Sequence, residues 1–277
     1  MEEQMEEQKA VIRQTDTASS DKVKPYRLGV ALSGGGARGF AHVGALAALE
    51  EAGFRPDIIA GVSAGAIAAV LYSAGMPLNE IIPLFSENKF ATFCKLSLHD
   101  GGGLFNLSGL KKFIIKNTGV DRLEDLPIPT VIGATDFDAG EPIAFTSGPI
   151  GDIVCASCSI PIVFQPVKIN NTYYVDGGVL RNLPAWTIRD KCERLIGINC
   201  SPLPAHRYKK SILDVALRSY NLMAKSNQNP DMDMCDIVIK TPDLATYQVF
   251  NLKDIKKAYL SGYAAAHKAV SEWRLQR

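Results

Sequence analysis

The feature that most constrains the fold is an alternation of apolar strands and helices, joined by glycine-rich turns, near the start of the chain. Residues 27–33 form an apolar, β-branched run that ends in glycines, as a buried parallel strand does. A helix is predicted over residues 39–51, a second strand over 57–62 and an alanine-rich helix over 64–74. Consecutive strand, helix, strand and helix are typical of a parallel sheet with helices on its faces, so the sequence predicts an α/β fold.

The rest of the chain continues in mixed strands and helices. Strands are predicted at residues 130–135, 142–146, 173–175, 195–199 and 237–240. Helices are predicted at residues 108–117, 150–157, 184–191, 211–226 and 253–273. Residues 90–107 have no clear period, which leaves two interpretations: a lid or binding element, or a plain surface excursion. The last helix mixes apolar and lysine residues, which fits transient contact with a membrane surface. A helix that closes the core explains the same pattern with fewer assumptions.

Composition narrows the class of protein. The 277 residues carry a formal net charge of +1 and are 47% hydrophobic, which suits a globular protein and provides no overall field to attract nucleic acid. Residues 1–24 are polar and predict a disordered tail, followed by one domain over residues 25–277. The longest apolar stretch, residues 58–76, contains glycines and serines and predicts a strand, turn and helix rather than a membrane span. We therefore expect a cytoplasmic protein, with peripheral contact to a membrane left open.

The first turn is unusually rich in glycine. A dinucleotide site would need an acid at the end of the second strand, whereas that strand ends in Gly61 and Val62. Successive glycines let backbone N–H groups turn inward at the positive end of a helix, where they bind negative charge such as the oxyanion of an acyl-transfer intermediate. Gly35 and Gly36 are the predicted donors, and Arg38 is expected to orient the loop or add positive potential. The turn, which also satisfies the G-x-G-x-x-G pattern, consists of Gly34, Gly35, Gly36, Ala37, Arg38 and Gly39.

The second turn has the G-x-S-x-G pattern of a nucleophile elbow, Gly61-Val62-Ser63-Ala64-Gly65. It lies between an apolar strand and an alanine-rich helix, which is where such an elbow forms. Gly61 and Gly65 permit the sharp turn, and the following helix directs its N-terminal dipole toward the Ser63 hydroxyl. A serine that only caps the helix is the alternative. The context favours Ser63 as a nucleophile.

An acid at the end of a later strand is the third element. Asp176-Gly177-Gly178 directly follows the apolar run at residues 173–175. By itself the acid could belong to an ordinary turn. It gains weight because the chain offers no convincing catalytic histidine.

The four histidines fit a catalytic triad poorly. His42 lies in the first helix, His99 in the irregular segment and His267 in the last helix. A Ser-His-Asp hydrolase of the α/β type places its histidine late in the chain, on a loop after a strand, and His206 alone approximates that position.

The three blocks together resemble those of the patatin-like phospholipase family, in the same order along the chain. Residues 134–136, 156–161 and 164–167 also look like the bacterial branch of that family. The resemblance implies a three-layer α/β/α sandwich with a mainly parallel central sheet. It further implies hydrolysis of lipid acyl esters without a cofactor or metal, by a dyad of Ser63 and Asp176. The implied oxyanion hole is the loop of Gly34, Gly35, Gly36, Arg38 and Gly39, beside the DGG motif with Gly177 and Gly178.

Other functions stay open at this point. A Ser-His-Asp hydrolase using His206, an acyltransferase and a silent lipid-binding module each fit part of the pattern. The expected partner is a lipid or another acyl ester, and no nucleic acid; no oligomeric state is predicted. Cys155 and Cys158 have C-x-x-C spacing, but without a second pair we expect small residues packed at a helix end rather than a redox or zinc site.

Overall fold

The computed structural model describes residues 23–86, 90–97, 101–203, 211–247 and 255–275. The predicted tail up to residue 22, His99 and His206 therefore lie outside the described residues. The strands are β1 (Tyr26–Leu32), β2 (Ile58–Val62), β3 (Lys95–Leu96), β4 (Gly103–Asn106), β5 (Thr130–Asp136), β6 (Glu141–Phe145), β7 (Ile162–Phe164), β8 (Val167–Ile169), β9 (Thr172–Asp176), β10 (Cys192–Asn199) and β11 (Ile237–Lys240). The helices are α1 (Phe40–Glu51), α2 (Ala64–Ser73), α3 (Leu78–Ser86), α4 (Phe90–Phe93), α5 (Ser108–Thr118), α6 (Ile150–Cys158), α7 (Ile212–Ser226), α8 (Asn229–Asp233) and α9 (Ile255–Leu275).

A mixed sheet of eight strands forms the centre of the molecule. Five strands run parallel in the order β11-β10-β1-β2-β5. Beyond β5 the pairing is antiparallel: β6 and β9 pair with β5, and β8 pairs with β9. The predicted α/β fold with a mainly parallel sheet is confirmed, and the antiparallel strands bring the chain back to the edge of the sheet where β1 and β2 end.

Side chains from both faces of the sheet are buried, because successive residues of each strand point to opposite sides. In β1, Val30 and Leu32 join the larger core with α1, α2, α5 and α6. Ala31 points the other way, into a smaller core with Leu183 and Trp186. The sheet thus lies between two layers, as the three-layer sandwich requires.

Two segments differ from the sequence-based predictions. Residues 184–191 form two 3-10 turns, Pro184–Thr187 and Arg189–Lys191, rather than one helix. Ile188 separates them, because its φ of −130° leaves the helical region while its side chain is fully buried. Residues 90–107, predicted to be irregular, include α4, β3 and β4, and β4 pairs with the remote strand β7 in a separate three-stranded sheet. Helices α3 and α8 and the short strands β7 and β8 were not predicted.

The last helix closes the core, as its simpler interpretation predicts. Ala258, Ala266 and Val270 of α9 are buried, and α9 lies directly against α1. Gly44 and Gly262 make this approach possible: a Cβ at Gly44 would overlap the carbonyl oxygen of Tyr259, and one at Gly262 would overlap that of Ala41. Among the described helices, none has the length and apolar character needed to cross a membrane.

Candidate active site

Ser63 lies at a strained turn between β2 and α2. Its φ of 54° and ψ of −120° are rare for a residue with a side chain. Gly61 and Gly65 permit the turn, because a Cβ at Gly61 would overlap the backbone of Gly65 and one at Gly65 would overlap the backbone of Leu32. The Ser63 N–H donates to Ser157 Oγ at 2.8 Å, and that hydroxyl donates to the Gly133 carbonyl at 2.6 Å. These contacts hold the serine at the N-terminus of α2.

Asp176 reaches the same edge of the sheet by strand register. In β2 and β5, Val62 pairs with Gly133, and the next residue of β5, Ala134, pairs with Asp176 of β9. The carboxyl is fully buried. Its Oδ1 accepts hydrogen bonds from the Gly178 N–H at 2.8 Å and the Tyr220 hydroxyl at 2.9 Å. Its Oδ2 has no hydrogen-bond partner among the described residues.

Burial controls the acidity of this carboxyl. It raises the pKa of Asp176 from 3.8 to about 6, against the opposing effects of the Ser63 side chain, the Gly178 amide and the Tyr220 hydroxyl. Ser63 is thus close enough to affect the carboxyl, although no hydrogen bond of normal geometry joins them. The structure brings Ser63 and Asp176 together, and the unpartnered Oδ2 is the candidate proton acceptor.

The glycine loop lies against this pair. Gly36 has a φ of 57°, and a Cβ at Gly39 would overlap the Cβ of Ala64, next to the serine. The Gly34 N–H donates to the Asn182 carbonyl at 3.1 Å, so it is already used. No hydrogen bond joins the N–H of Gly35 or Gly36 to another described residue. These two amides are therefore the candidates for binding an oxyanion.

Arg38 links the glycine loop by hydrogen bonds to later parts of the chain. The side chain is buried, and its Nε donates to the Gly35 carbonyl at 3.1 Å. Its Nη1 donates to the Pro202 carbonyl at 2.6 Å, and its Nη2 donates to Asn221 Oδ1 at 3.4 Å. Burial lowers the pKa of Arg38, an effect that Cys200 and Tyr220 oppose. These contacts favour the first of the two expected roles of Arg38, which is orienting the loop.

An apolar cavity of about 150 Å³ extends from Ser63 into the helical layer. Gly36 and Gly39 line it beside the serine, and apolar side chains of α1 to α5, together with Cys158, Ile160 and Phe164, line most of the rest. Phe85 and Phe93, on its wall, contact Phe113 with ring centroids 5.0 Å apart in both cases. Such a cavity suits a hydrocarbon chain.

The described histidines do not contact the serine or the carboxyl. His42 is buried beneath the glycine loop, with Nε2 at 2.7 Å from the Ser33 carbonyl oxygen and 3.2 Å from Cys200 Sγ. Burial lowers the pKa of His42 to about 4, so the ring is neutral and donates to Ser33. His267 lies on α9, stacked on Tyr263. Within the described residues, the candidate base is Asp176.

The cysteine pair belongs to the core. Cys155 and Cys158 are both buried at the C-terminal end of α6, and Cys158 also lines the cavity. Burial raises the pKa of Cys155 to about 12, and its thiol donates to the Leu107 carbonyl at 3.4 Å. Among the described residues there is no group of side chains suited to a metal ion.

Sequence reasoning missed three residues of the site. Ser157 lies in one of the blocks that carry the family resemblance, so its block was found but not its role. Asn182 follows the DGG motif, and its buried side-chain oxygen and nitrogen have no partner among the described residues. Tyr220 occupies the buried face of α7 with Ala216 and Ala224, and its pattern in sequence is that of an ordinary core residue.

Comparisons with known proteins identify the family. The patatin-like phospholipase family model matches residues 30–188, which include Ser63 and Asp176. An uncharacterized NTE family protein of Mycobacterium tuberculosis is 34% identical over 160 residues, which cover 57% of this chain and 44% of that protein. Lysophospholipase nte1 of Aspergillus fumigatus is 32% identical over 170 residues, which cover 56% of this chain and 11% of that protein. The chain thus spans less than half the length of either relative.

A solved structure shares the fold. VipD from Legionella pneumophila superposes with a TM-score of 0.56 at 16% identity, and the match covers 90% of this chain and 67% of that one. The shared sheet, the ordered motifs and the family match lead to one assignment. This chain belongs to the patatin-like phospholipase family.

Proposed function

We propose that this protein is a serine acyl-hydrolase of single acyl chains, with Ser63 as the nucleophile and Asp176 as the base. Membership of the patatin-like phospholipase family supports lipid acyl-hydrolase activity. The observation that supports the roles of Ser63 and Asp176 is that Oδ2 of Asp176 is buried and unpartnered and lies near the strained Ser63. Strain and unsatisfied polar groups cost free energy and persist mainly where function requires them.

The chemistry begins with attack of Ser63 Oγ on the ester carbonyl carbon, while the serine proton passes to Asp176 Oδ2. The carbonyl oxygen becomes an oxyanion and accepts hydrogen bonds from the N–H groups of Gly35 and Gly36. Each such donor contributes about 100- to 1,000-fold to turnover. When the ester C–O bond breaks, the leaving alkoxide takes the proton from Asp176, and the acyl group stays on Ser63.

Water then completes the cycle. Asp176 accepts a proton from the water as it attacks the acyl-enzyme, and the proton returns to Ser63 as the acid leaves. An aspartate of ordinary acidity is a weak base for a hydroxyl. Burial raises the pKa of Asp176 to about 6, which makes the carboxylate a better acceptor while it remains ionised at neutral pH.

The cavity supports a substrate with one acyl chain. Its 150 Å³ are lined mainly by apolar side chains. An apolar cavity of about 150 Å³ admits benzene, that is, about six carbon atoms. We infer that the first six or so carbons of the chain enter the cavity, and that the polar leaving group stays outside, near the glycine loop.

The test compares two variants on short-chain p-nitrophenyl esters. Ser63→Ala and Asp176→Asn should each lower kcat by on the order of 10⁴-fold or more, because each removes a group that acts in every turnover. His206→Ala and the exposed Ser219→Ala should leave it nearly unchanged. Labelling by a fluorophosphonate should occur in the native protein and fail in Ser63→Ala.

The opposite pattern would reject the dyad. If His206→Ala abolishes turnover while Asp176→Asn retains it, the reaction uses a histidine base. Absence of labelling and turnover in folded native protein would instead favour a lipid-binding module without catalytic activity. Thermal unfolding of each variant separates a loss of chemistry from a loss of fold.

A further inference from the structure

We propose that Tyr220 is a positioning residue for the base: by occupying Oδ1 of Asp176, it leaves Oδ2 as the oxygen that takes the proton of Ser63. This inference rests on the proposed function. Tyr220 lies outside residues 30–188, which the family model matches.

The hydroxyl of Tyr220 is fixed by its surroundings. It donates to Asp176 Oδ1 at 2.9 Å, and the side chain is 6% exposed. The Gly178 N–H donates to the same oxygen at 2.8 Å. Two donors thus converge on Oδ1, while Oδ2 has none among the described residues. Since hydrogen bonds stabilise the negative charge on the oxygen that accepts them, the proton is taken up by the other oxygen.

The glycines of both motifs make room for this tyrosine. A Cβ at Gly178 would overlap the Tyr220 hydroxyl oxygen. A Cβ at Gly34 would lie 3.4 Å from the same hydroxyl and 3.3 Å from the Cβ of Ser63. The hydroxyl therefore lies between the DGG motif and the glycine loop, and the absence of a side chain at residue 178 has a specific cause.

Helix α7 holds the tyrosine through contacts to both loops. Asn221, the next residue, accepts a hydrogen bond from Arg38 of the glycine loop. Asn227, just after the helix, donates to the Gly178 carbonyl at 3.0 Å and accepts from the Asn182 N–H at 2.9 Å. Helix α7 thus fixes the distance between the glycine loop and Asp176.

The Tyr220 hydroxyl stays protonated across the neutral pH range and therefore remains a hydrogen-bond donor. Burial raises the pKa of the Tyr220 hydroxyl well above its ordinary value, and nearby Asp176 raises it further. Burial likewise raises the pKa of the Cys158 thiol, which faces the carboxyl from α6. Among the described residues, the Arg38 guanidinium is a further charged group near Tyr220. Within the neutral range, Asp176 is therefore the group in this set that titrates.

The experiment measures the pH dependence of kcat/KM for Tyr220→Phe on a p-nitrophenyl ester, from about pH 5 to about pH 9. The native acid limb should lie near the pKa of Asp176, about 6. Tyr220→Phe removes a hydrogen bond to the ionised form, so the limb should move to higher pH and kcat should fall about 10- to 100-fold. The matched control is Tyr72→Phe, which removes a hydroxyl that donates to Glu50 at 2.9 Å, away from the site. This variant should change neither the position of the acid limb nor kcat.

An unmoved acid limb in folded Tyr220→Phe would overturn the inference, whatever the loss in kcat, because a purely structural role lowers activity equally at each pH. If Tyr220→Phe does not fold, 3-fluorotyrosine at residue 220 provides the second test: it keeps the ring and makes the hydroxyl a stronger donor to Asp176 Oδ1, so the acid limb should move to lower pH. The proposed function fails separately, through Ser63→Ala and Asp176→Asn. If those variants are inactive and the limb of Tyr220→Phe is unmoved, only the role of Tyr220 is rejected.

Discussion

Asp176 is placed where a carboxylate is costly to ionise. Its side chain is fully buried, no cation pairs with it among the described residues, and one of its oxygens is unpartnered. Because the folded pKa, about 6, lies above the reference value of 3.8, this group favours the folded state most at low pH. That contribution is complete below about pH 4 and is lost as the pH rises through about 6.

Asp176→Asn should therefore stabilise the protein at neutral pH while abolishing turnover. A rise in pKa from 3.8 to about 6 corresponds to about 3 kcal/mol at about pH 8. Urea unfolding should show this gain at about pH 8 and little difference near pH 4. The control is Asp190→Asn, an exposed aspartate. Equal stability of the native protein and Asp176→Asn at about pH 8 would contradict the assigned cost of burial.

The sequence predicts those site residues that stand beside glycines. Ser63 and Asp176 are visible because each follows an apolar strand and adjoins a turn that few other residues can form. Tyr220 lacks such a local signal, since a tyrosine on the buried face of a helix is usually part of the core. Its role depends on how α7 lies against the DGG motif, which is a tertiary contact between residues 44 positions apart.

At the scale of elements, the helices and strands next to the glycine turns were predicted to within one or two residues. The wall of the cavity was predicted only in part. Helix α5 was predicted, whereas α3 and α4, which supply Phe85 and Phe93, were not. Strand β3 pairs with β4, and β4 pairs with the remote strand β7. Strands as short as two to four residues leave too little periodicity to be detected, and a remote partner stabilises them.

The aromatic wall should limit the length of the acyl chain. Phe85→Leu replaces one ring of this wall by a smaller aliphatic side chain and so enlarges the cavity. The ratio of kcat/KM for longer over shorter p-nitrophenyl esters should therefore rise by about tenfold, which is within the range that one or two methylenes contribute. The control is Phe145→Leu, which changes a buried ring that contacts Tyr174 and does not line the cavity. An unchanged ratio, or the same change in both variants, would show that this wall does not set chain length.

At the scale of the whole molecule, the two ends of the described chain meet. Helix α9 lies against α1, which directly follows the glycine loop, and the two backbones approach at Gly44 and Gly262. The sequence predicts both helices but not their pairing, because the glycines that permit it are 218 residues apart. Packing this close leaves no room for even one methyl group.

Gly262→Ala should accordingly destabilise the fold by roughly 1–3 kcal/mol, the usual cost of overpacking, despite the higher helix propensity of alanine. Urea midpoints measure the difference. The matched control is Gly151→Ala in α6, where the three atoms nearest to the added Cβ belong to the side chains of Lys111 and Ile115 rather than to backbone. A midpoint for Gly262→Ala at or above that of the native protein would mean that the two helices can separate at little cost.

The position of β1 at the middle of the sheet has a consequence for dissecting the chain. β1 carries the glycine loop and lies between β2 and β10, and β10 begins at residue 192. A fragment confined to residues 30–188 would keep each recognisable motif, yet it would retain only the last three residues of β1 and would lose β10, so the remainder of β1 would lie at an exposed edge of the sheet. Arg38 would then have lost Pro202 and Asn221, its anchors beyond the cut. The segment that the family model matches is thus shorter than the part of the chain that supplies the contacts of this site.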